Sequence, residues 1–210
     1  MPHRILALPL GPIQTNCYLV ADVEARAAVV IDPGDEAGRV LDVLRKNAWD
    51  LQYILLTHAH FDHIGAVAAI AADRRAPLAL HPLDMPLLRA GGGARLFGLD
   101  IPTPPEPDVL LEAGQVLTCG ALTFLVLHVP GHTPGHVAFY CPQAGAVFSG
   151  DVLFQDGIGR TDLPGGDYAT LMHSLKAVLL QLPAETVVYS GHGPATTLAA
   201  EQQGNPFLAD

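Results

Sequence analysis

The apolar positions of the N-terminal half alternate between short compact runs and a helical spacing. Within the segment 36–47, Val40, Leu41 and Leu44 recur at the interval of one helical face. The whole pattern predicts helices over 36–47 and 64–72, and strands over 5–10, 16–20, 27–31, 53–56 and 78–80. Strands and helices that alternate in this order are typical of an α/β fold.

Compact apolar runs separated by Gly or Pro turns dominate the second half. They predict a helix over 168–180 and strands over 109–111, 116–117, 122–127, 137–140, 147–149 and 186–189. Between the halves, the segment 91–107 combines Gly91-Gly92-Gly93 with several prolines and is predicted to lack regular structure. It is interpreted either as a surface connection or as a rim over an active site. The chain 1–210 is predicted to be a single domain.

The net charge of the chain argues against one class of partner. The chain has 11 basic and 21 acidic residues, which leaves a formal charge of −10. A surface of that sign repels phosphate backbones, and no run of Lys or Arg offsets it. Nucleic acid is therefore excluded as a partner, and a small-molecule substrate is expected.

The apolar runs and the cysteines bear on the cellular location of the protein. No apolar run approaches the roughly 20 residues that a membrane span needs, so no membrane partner is expected. The 3 cysteines are scattered along the chain, which predicts neither a disulfide framework nor a pair of Cys metal ligands. A cytoplasmic location is the prediction, and the pattern does not indicate an oligomeric state.

Histidines are concentrated in one short window. The chain has 10 histidines, and three of them fall within His58-Ala59-His60-Phe61-Asp62-His63, between a predicted strand and a predicted helix. In an extended segment His58 and His60 point to the same side, because side chains alternate with a period of two, so together they can bind one metal ion. The turn into the helix directs Asp62 and His63 elsewhere, which predicts a second ion.

Further ligands are predicted at three later strand ends. Zinc takes about four ligands at roughly 2.0–2.3 Å, so neither pair of the window suffices alone. His132, Asp151 and His192 each lie beside Gly or Pro after a predicted strand, where a loop can present one side chain. The Asp151 carboxylate is suited to bridge two cations about 3.5–4 Å apart. Each of the three alone is also explained as a turn residue, and their combination with the histidine window predicts a metal centre.

Four further residues are predicted near the ligands. Asp32 and Thr57 lie close to strand ends and are expected to support the ligand loops through hydrogen bonds. His128 and His136 flank His132 in the sequence. They are interpreted either as contacts of the site or as structural residues.

The string Thr57-His58-Ala59-His60-Phe61-Asp62-His63, followed in order by His132, Asp151 and His192, resembles the metallo-β-lactamase superfamily. The resemblance covers almost the whole chain. It implies a four-layer αβ/βα sandwich, an α/β fold with a two-metal site at one edge. It also implies a set of metal ligands, with His58, His60 and His132 on the first ion, Asp62, His63 and His192 on the second, and Asp151 between them.

Within the superfamily, the strings Gly131-His132-Thr133-Pro134-Gly135-His136, Gly150-Asp151-Val152-Leu153-Phe154 and Gly157-Ile158-Gly159-Arg160 are similar to those of glyoxalase II-like hydrolases. The resemblance implies a metal-dependent thioesterase that cleaves hydroxyacylglutathiones such as S-lactoylglutathione. It implies two divalent ions, Zn²⁺ first with Fe or Mn as alternatives, and a metal-bridging hydroxide as nucleophile, with Asp62 as the catalytic residue. It also implies that Arg160 binds substrate, because these enzymes carry a glutathione-binding basic residue there.

Other functions stay open at this point. The chain has Thr161-Asp162 where glyoxalase II enzymes have an aromatic residue, and it is expected to lack their C-terminal helical domain. The string Gly159-Arg160-Thr161-Asp162 also resembles the persulfide dioxygenases of the same superfamily, which use one iron ion. A lactonase, another hydrolase and a non-catalytic metal-binding module are the remaining alternatives.

Overall fold

The computed structural model describes residues 2–208. The N-terminal half forms a sheet whose strands follow the chain order, namely β1 (His3–Leu10), β2 (Thr15–Asp22), β3 (Ala27–Ile31), β4 (Asp50–Leu55), β5 (Leu78–Leu80) and β6 (Val109–Leu110). β1, β2 and β3 are antiparallel, whereas β3 to β6 are parallel. The carboxyl ends of β3, β4 and β5 therefore meet at one edge of the sheet.

The C-terminal half contains a second sheet and a short ribbon. Its strands are β7 (Val116–Cys119), β8 (Leu122–His128), β9 (Val137–Cys141), β10 (Ala146–Gly150), the ribbon strands β11 (Leu153–Phe154) and β12 (Gly157–Ile158), β13 (Val187–Ser190) and β14 (Thr196–Thr197). The sheet has the order β14-β13-β10-β9-β8-β7. β10 and β13 are parallel, so their carboxyl ends also meet at one edge.

Helices cover the outer faces of the two sheets. They are α1 (Ala37–Asn47), α2 (Phe61–Ile64), α3 (Val67–Arg74), α4 (Met85–Arg89), α5 (Tyr168–Ala177) and α6 (Leu198–Gly204), with 3-10 helices at Pro82–Asp84, Gly91–Phe97, Pro142–Ala144 and Leu179–Gln181. α5 begins at Tyr168 because the Asp167 carboxylate accepts a hydrogen bond from the Thr170 backbone amide at 2.7 Å. None of the helices within residues 2–208 has both the length and the hydrophobicity of a bilayer span.

Three apolar clusters separate four layers. Successive residues of β3 face opposite sides, as strand geometry requires. Val30 belongs to the cluster under α1, together with Leu44, and Val29 belongs to the cluster between the two sheets, together with Phe124. The third cluster lies between the second sheet and α5, where Leu171 is buried. The predicted four-layer αβ/βα sandwich is confirmed.

Three predicted segments differ from the structure. The predicted helix 64–72 is found as α3, which begins only at Val67, whereas Ile64 ends the separate helix α2. The break between them includes Gly65, where a Cβ would overlap the carbonyl oxygen of Gly34. The segment 91–107, predicted to lack regular structure, holds a 3-10 helix over Gly91–Phe97 that is interrupted where Gly92 and Gly93 adopt left-handed φ angles of 64° and 76°. The predicted helix 168–180 ends as α5 three residues early and continues as a 3-10 turn.

Candidate metal centre

Loops at the ends of strands from both sheets bring the predicted ligands together. His58 follows β4, His132 follows β8, Asp151 follows β10 and His192 follows β13. The backbone amide that begins β9 donates a hydrogen bond to the carbonyl oxygen of Thr57 at 2.8 Å. This bond joins the two sheets beside His58, so the ligand loops of both sheets share one rigid support.

Three buried imidazoles form the first group of donors. The ligand atoms of His58, His60 and His132 lie within 4.8 Å of one another. Nδ1 of His60 is 2.9 Å from Nε2 of His132. Two ring nitrogens at this separation require a shared proton or a cation between them, because their lone pairs otherwise repel. The group therefore has the geometry of a cation site.

A carboxylate and two imidazoles form the second group. The ligand atoms of Asp62, His63 and His192 also lie within 4.8 Å of one another. Oδ2 of Asp62 is 3.4 Å from Nε2 of His63 and 3.2 Å from Nε2 of His192. The hydroxyl of Thr15 donates a hydrogen bond to the same Oδ2 at 2.8 Å, which fixes the orientation of the carboxylate.

The carboxylate of Asp151 lies between the two groups. Its Oδ1 is 3.5 Å from Nε2 of His63. Its Oδ2 is 3.7 Å from Nε2 of His132 and 3.6 Å from Nε2 of His192. One carboxylate thus faces donors of both groups, and all seven predicted ligands lie together at one edge of the sandwich.

Hydrogen bonds on the opposite ring nitrogens set the direction of the imidazoles. Oγ1 of Thr57 is 3.0 Å from Nδ1 of His58, and Oδ2 of Asp32 is 3.0 Å from Nδ1 of His63. Asp32 also accepts the Thr57 hydroxyl at 2.6 Å. The predicted support by Asp32 and Thr57 is therefore present. It leaves Nε2 of both histidines free to face the centre, the arrangement that orients metal-binding imidazoles.

Three buried atoms test whether these residues fit a metal ion. Nε2 of His58, Nε2 of His63 and Oδ1 of Asp151 are buried and have no hydrogen-bond partner. Leaving a buried polar atom without a partner costs about 1–3 kcal/mol, and all three atoms face the donor groups. A cation would satisfy them together. Imidazole nitrogens and carboxylate oxygens are ligands that zinc and other transition metals accept, so the residues fit a metal centre.

The pKa values of histidines in the two donor groups are shifted in opposite directions. Burial, followed by repulsion from His132, lowers the pKa of His60 to about 3, which keeps this ligand neutral. Burial alone would also lower the pKa of His192, but hydrogen bonds to Asp151 and Asp62 outweigh it and raise that pKa to about 9. A metal ion bound by His192 would take the place of this proton, because an imidazole nitrogen must be deprotonated to bind a metal ion.

His128 and His136, which the sequence left as either contacts of the site or structural residues, have different roles. The ring of His136 stacks on that of His58 with centroids 4.6 Å apart, and its Nε2 accepts a hydrogen bond from the Asp151 backbone amide at 3.1 Å. His136 therefore contacts the site. The ring of His128 instead stacks on that of His81 at 4.4 Å, which makes it a structural residue.

Sequence reasoning missed Asp84 and Thr15. Asp84 is fully buried and accepts three hydrogen bonds, including one from the backbone amide of Ala59, which lies between two ligands. Asp84 follows the end of β5 in the same parallel sheet that places Asp32 after β3. This position after a strand is a sequence signal from which Asp84 could have been predicted. Thr15, the first residue of β2, carried no comparable signal.

Arg160 lies at the mouth of the centre. A cavity of about 240 Å³ above the donors is lined by Ile13, His60, Phe61, Asp62, Phe97, His132, Asp151, Arg160, Leu163 and His192. The guanidinium of Arg160 makes two 2.7 Å hydrogen bonds to the Asp162 carboxylate, and its backbone carbonyl is 2.8 Å from Nδ1 of His132. Arg160 thus holds a ligand through its backbone and presents its side chain to the cavity.

The fold and the donor groups define the class of protein. The family model described as Metallo-beta-lactamase superfamily matches residues 10–192, a range that includes all seven donors. The chain belongs to this superfamily, and it is a metal-dependent hydrolase.

Two curated relatives match nearly the whole chain. The hydroxyacylglutathione hydrolase GloC of Haemophilus influenzae is 39% identical over 213 residues, which cover 98% of this chain and 98% of the relative. The probable metallo-hydrolase YqgX of Bacillus subtilis strain 168 is 42% identical over 205 residues, which cover 96% of this chain and 95% of the relative. The predicted glyoxalase II-like branch of the superfamily is confirmed.

Solved structures are similar over the same extent. The BLEG-1 B3 metallo-beta-lactamase has a TM-score of 0.93 at 45% identity and covers 99% of this chain and 100% of its own. TTHA1623 in a di-iron-bound form has a TM-score of 0.89 at 51% identity, with coverage of 97% and 100%. ETHE1 from Myxococcus xanthus has a TM-score of 0.80 at 32% identity, with coverage of 98% and 84%.

Proposed function

We propose that this protein is a two-metal hydrolase of thioesters of the S-lactoylglutathione type, and that residues 1–210 form one domain. The observation that carries the proposal is Asp151, whose carboxylate faces donors of both groups. The similarity to a hydroxyacylglutathione hydrolase over 98% of both chains supports the substrate class.

The two donor groups are the basis for two ions. In this proposal the seven donors would hold two Zn²⁺ ions, or Fe or Mn in their place, and Asp151 would contribute to both sites because its carboxylate faces both groups. The partnerless Nε2 atoms of His58 and His63 belong to different groups, so one ion per group would satisfy them. A one-iron dioxygenase would need only one of these groups.

The residues of the chain position the reactants. When bound, two divalent ions would lower the pKa of a water molecule and polarise the carbonyl group of the substrate. Burial alone would raise the pKa of Asp62, but His63 and His192 outweigh it and lower that pKa to about 2. The ionised carboxylate, held by Thr15, orients the attacking water by accepting its hydrogen bond.

A thioester suits a site that offers an ionised carboxylate and no evident acid for a leaving group. The water oxygen bonds to the carbonyl carbon and the carbon–sulfur bond breaks. The products are a carboxylic acid and a thiol, which keeps the sulfur electron pair and takes up one proton of the water. A thiol has a pKa of about 8.5 and leaves without a strong general acid, whereas an amide nitrogen must be protonated.

The thiol part is proposed to lie beside Arg160. A cavity of about 440 Å³ adjoins the donors on this side and is lined by Asp151, Phe154, Gln155, Arg160, His192, Gly193 and Pro194. Gln155 and Nη1 of Arg160, the guanidinium nitrogen that does not bond to Asp162, are suited to hydrogen-bond the carboxylate and amide groups of a glutathione conjugate.

Metal content measured together with thiol release tests the proposal. The purified protein should hold two ions per chain and release thiol from S-lactoylglutathione, and Asp151→Asn should lose both properties. Asp42→Asn, which removes an exposed carboxylate of α1, is the matched control and should keep both. One iron ion per chain with oxygen uptake on glutathione persulfide would instead identify a dioxygenase. Cleavage of lactones without cleavage of thioesters would identify a lactonase.

A further inference from the structure

Large apolar side chains are exposed around the mouth of the metal centre. Ile13, Leu96, Phe97 and Leu99 are each about half exposed or more. Ile13 and Phe97 line the central cavity itself. Scattered exposed apolar residues are ordinary on a protein surface, but a group of them around a cavity indicates a binding site.

A second cavity opens from the centre on the His60 side. It has a volume of about 300 Å³, and its walls include Leu87, Leu96, Phe97, Leu163 and Pro164. His60, Phe97 and Leu163 line both this cavity and the central one, so the two cavities adjoin at a predicted metal ligand. We refer to the cavity between Leu87 and Pro164 as the apolar pocket.

The wall of the apolar pocket is fixed to the ligand loop. A Cβ on Gly92 would overlap the backbone nitrogen of Phe61 and would lie 2.7 Å from the carbonyl oxygen of Ala59. The ring of Phe97 contacts that of Phe61, with centroids 5.4 Å apart. The 3-10 helix Gly91–Phe97 is therefore seated directly on the residues between the ligands. The pocket is preformed, as small-molecule sites usually are.

The cavities on the two sides of the donor groups differ in chemistry. The cavity near His192 presents Gln155 and Arg160, whereas the lining of the apolar pocket contains one cation, Arg95, which lies 3.7 Å from Asp100. A charged or hydroxylated group in the apolar pocket would lose water and would find no charged side chain other than Arg95, which already has Asp100 beside it. An apolar group would gain from burial there.

We propose that the apolar pocket binds the acyl group of the substrate, and that this acyl group is an aliphatic or aromatic chain larger than lactoyl. The inference rests on the proposed thioester hydrolysis and assigns an orientation to it. The carbonyl carbon lies over the donor groups, the acyl chain extends past His60 along Phe97, and the thiol extends towards Arg160. Each methylene buried in the pocket raises kcat/KM about fourfold until the pocket is full.

Thioesters of one small thiol test the pocket. The acetyl, butanoyl, hexanoyl and benzoyl esters of N-acetylcysteamine share a leaving group without carboxylates. For the native protein, the ratio of kcat/KM for hexanoyl to that for acetyl should exceed tenfold. Phe97→Ser and Leu96→Ser, both at half-exposed or exposed positions, should reduce the ratio several-fold. Val116→Ser alters an exposed apolar residue of β7 outside the pocket and should leave it unchanged.

Ketone analogues separate this inference from the proposed reaction. In these compounds a methylene replaces the ester sulfur, so they bind without being cleaved. If no thioester is cleaved, but the pentyl ketone (the hexanoyl analogue) binds more tightly than the methyl ketone and loses this advantage in Phe97→Ser, the pocket proposal is supported and the thioesterase proposal fails. If thioesters are cleaved with equal kcat/KM for all acyl groups, the pocket proposal is overturned. A change of oligomeric state in Phe97→Ser without a change in the ratio overturns it in favour of a contact between chains.

Discussion

The carboxylate of Asp84 accepts a hydrogen bond from the hydroxyl of Thr133 at 2.8 Å in the protein interior. The same carboxylate accepts the backbone amides of Ala59 at 3.1 Å and Gly135 at 2.7 Å. Ala59 lies between His58 and His60, and Thr133 follows a third ligand of the same donor group. One buried carboxylate thus joins the two loops that form the first group.

Asp84→Asn should weaken metal binding in the first group. The carboxamide of Asn keeps one acceptor oxygen and replaces the other by an NH2 group, so at least one of the three donors faces another donor and loses its acceptor. We expect the affinity for one of the two ions to fall about 10–100-fold, as for other residues that orient ligands. Competition with a chromophoric chelator measures this affinity.

Asp22→Asn is the matched control for this prediction. Asp22 is also buried and also accepts three backbone amides, from Glu24, Ala25 and Ala121, but it lies far from the donors in the sheet. The control should lower Tm without changing metal affinity. If the two variants bind metal equally well, Asp84 has only a general structural role.

His60→Ala should abolish hydrolysis and metal binding in the first group. His60 is a ligand of the first group that lines both the central cavity and the apolar pocket, and its loss leaves that group with two imidazoles. Thiol release and metal content are measured on the same sample. His3→Ala removes an exposed histidine at the start of β1 and should have no effect. Turnover at the native rate in His60→Ala would exclude the first group as the metal site.

The sequence predicted most of the strands and the residues of the two donor groups, because both depend on local signals. Compact apolar runs define strands, and β3 and β5 have the predicted bounds, 27–31 and 78–80. The histidine window follows β4 directly, so its place at the sheet edge follows from chain order. The role of Asp84 was less evident. Its position after β5 is a local signal, but its partner Thr133 is separated from it by 49 residues, and no local pattern indicates that contact.

The segment 91–107 was difficult to predict for a similar reason. Its three consecutive glycines favour a flexible connection when they are considered alone. In the structure, Gly92 is required because the ligand loop passes too close for any side chain, and this is a tertiary constraint. The rim over the site, one of the two interpretations of this segment, agrees with Phe97 lining the central cavity.

Removal of metal should destabilise the protein. Without a cation, Nε2 of His58, Nε2 of His63 and Oδ1 of Asp151 are buried without partners, and a ligand that binds the folded state alone raises its stability. Tm measured before and after treatment with a chelator should fall and should recover when Zn²⁺ is added back. The fall in Tm should be smaller in His60→Ala, because this variant binds less metal before the chelator is added. An unchanged Tm after complete removal would contradict the assignment.

Gly92→Ala and Gly38→Ala should change stability in opposite directions. Gly92 has a φ of 64°, and a Cβ there would overlap the ligand loop. A left-handed conformation alone costs a residue with a side chain about 1–2 kcal/mol, so Gly92→Ala should unfold more easily and lose activity. Gly38 lies in α1, and a Cβ there would meet no other atom within 4 Å, so alanine should add about 0.5–1 kcal/mol. Urea denaturation compares the two, and equal effects would refute the close approach at Gly92.

The contribution of Asp22 to stability should depend on pH. The hydrogen bonds from the backbone amides of Ala121 and Ala25 lower the pKa of Asp22 below its ordinary value. A carboxyl group with a lowered pKa in the folded state stabilises the protein above its unfolded pKa of about 3.9, and this stabilisation is lost as the pH falls through the folded pKa. The difference in Tm between the native protein and Asp22→Asn should therefore be constant from neutral pH down to about pH 5 and should shrink below about pH 4. A difference that stays constant down to about pH 2 would mean that the lost hydrogen-bond geometry, and not the charge of Asp22, causes the destabilisation.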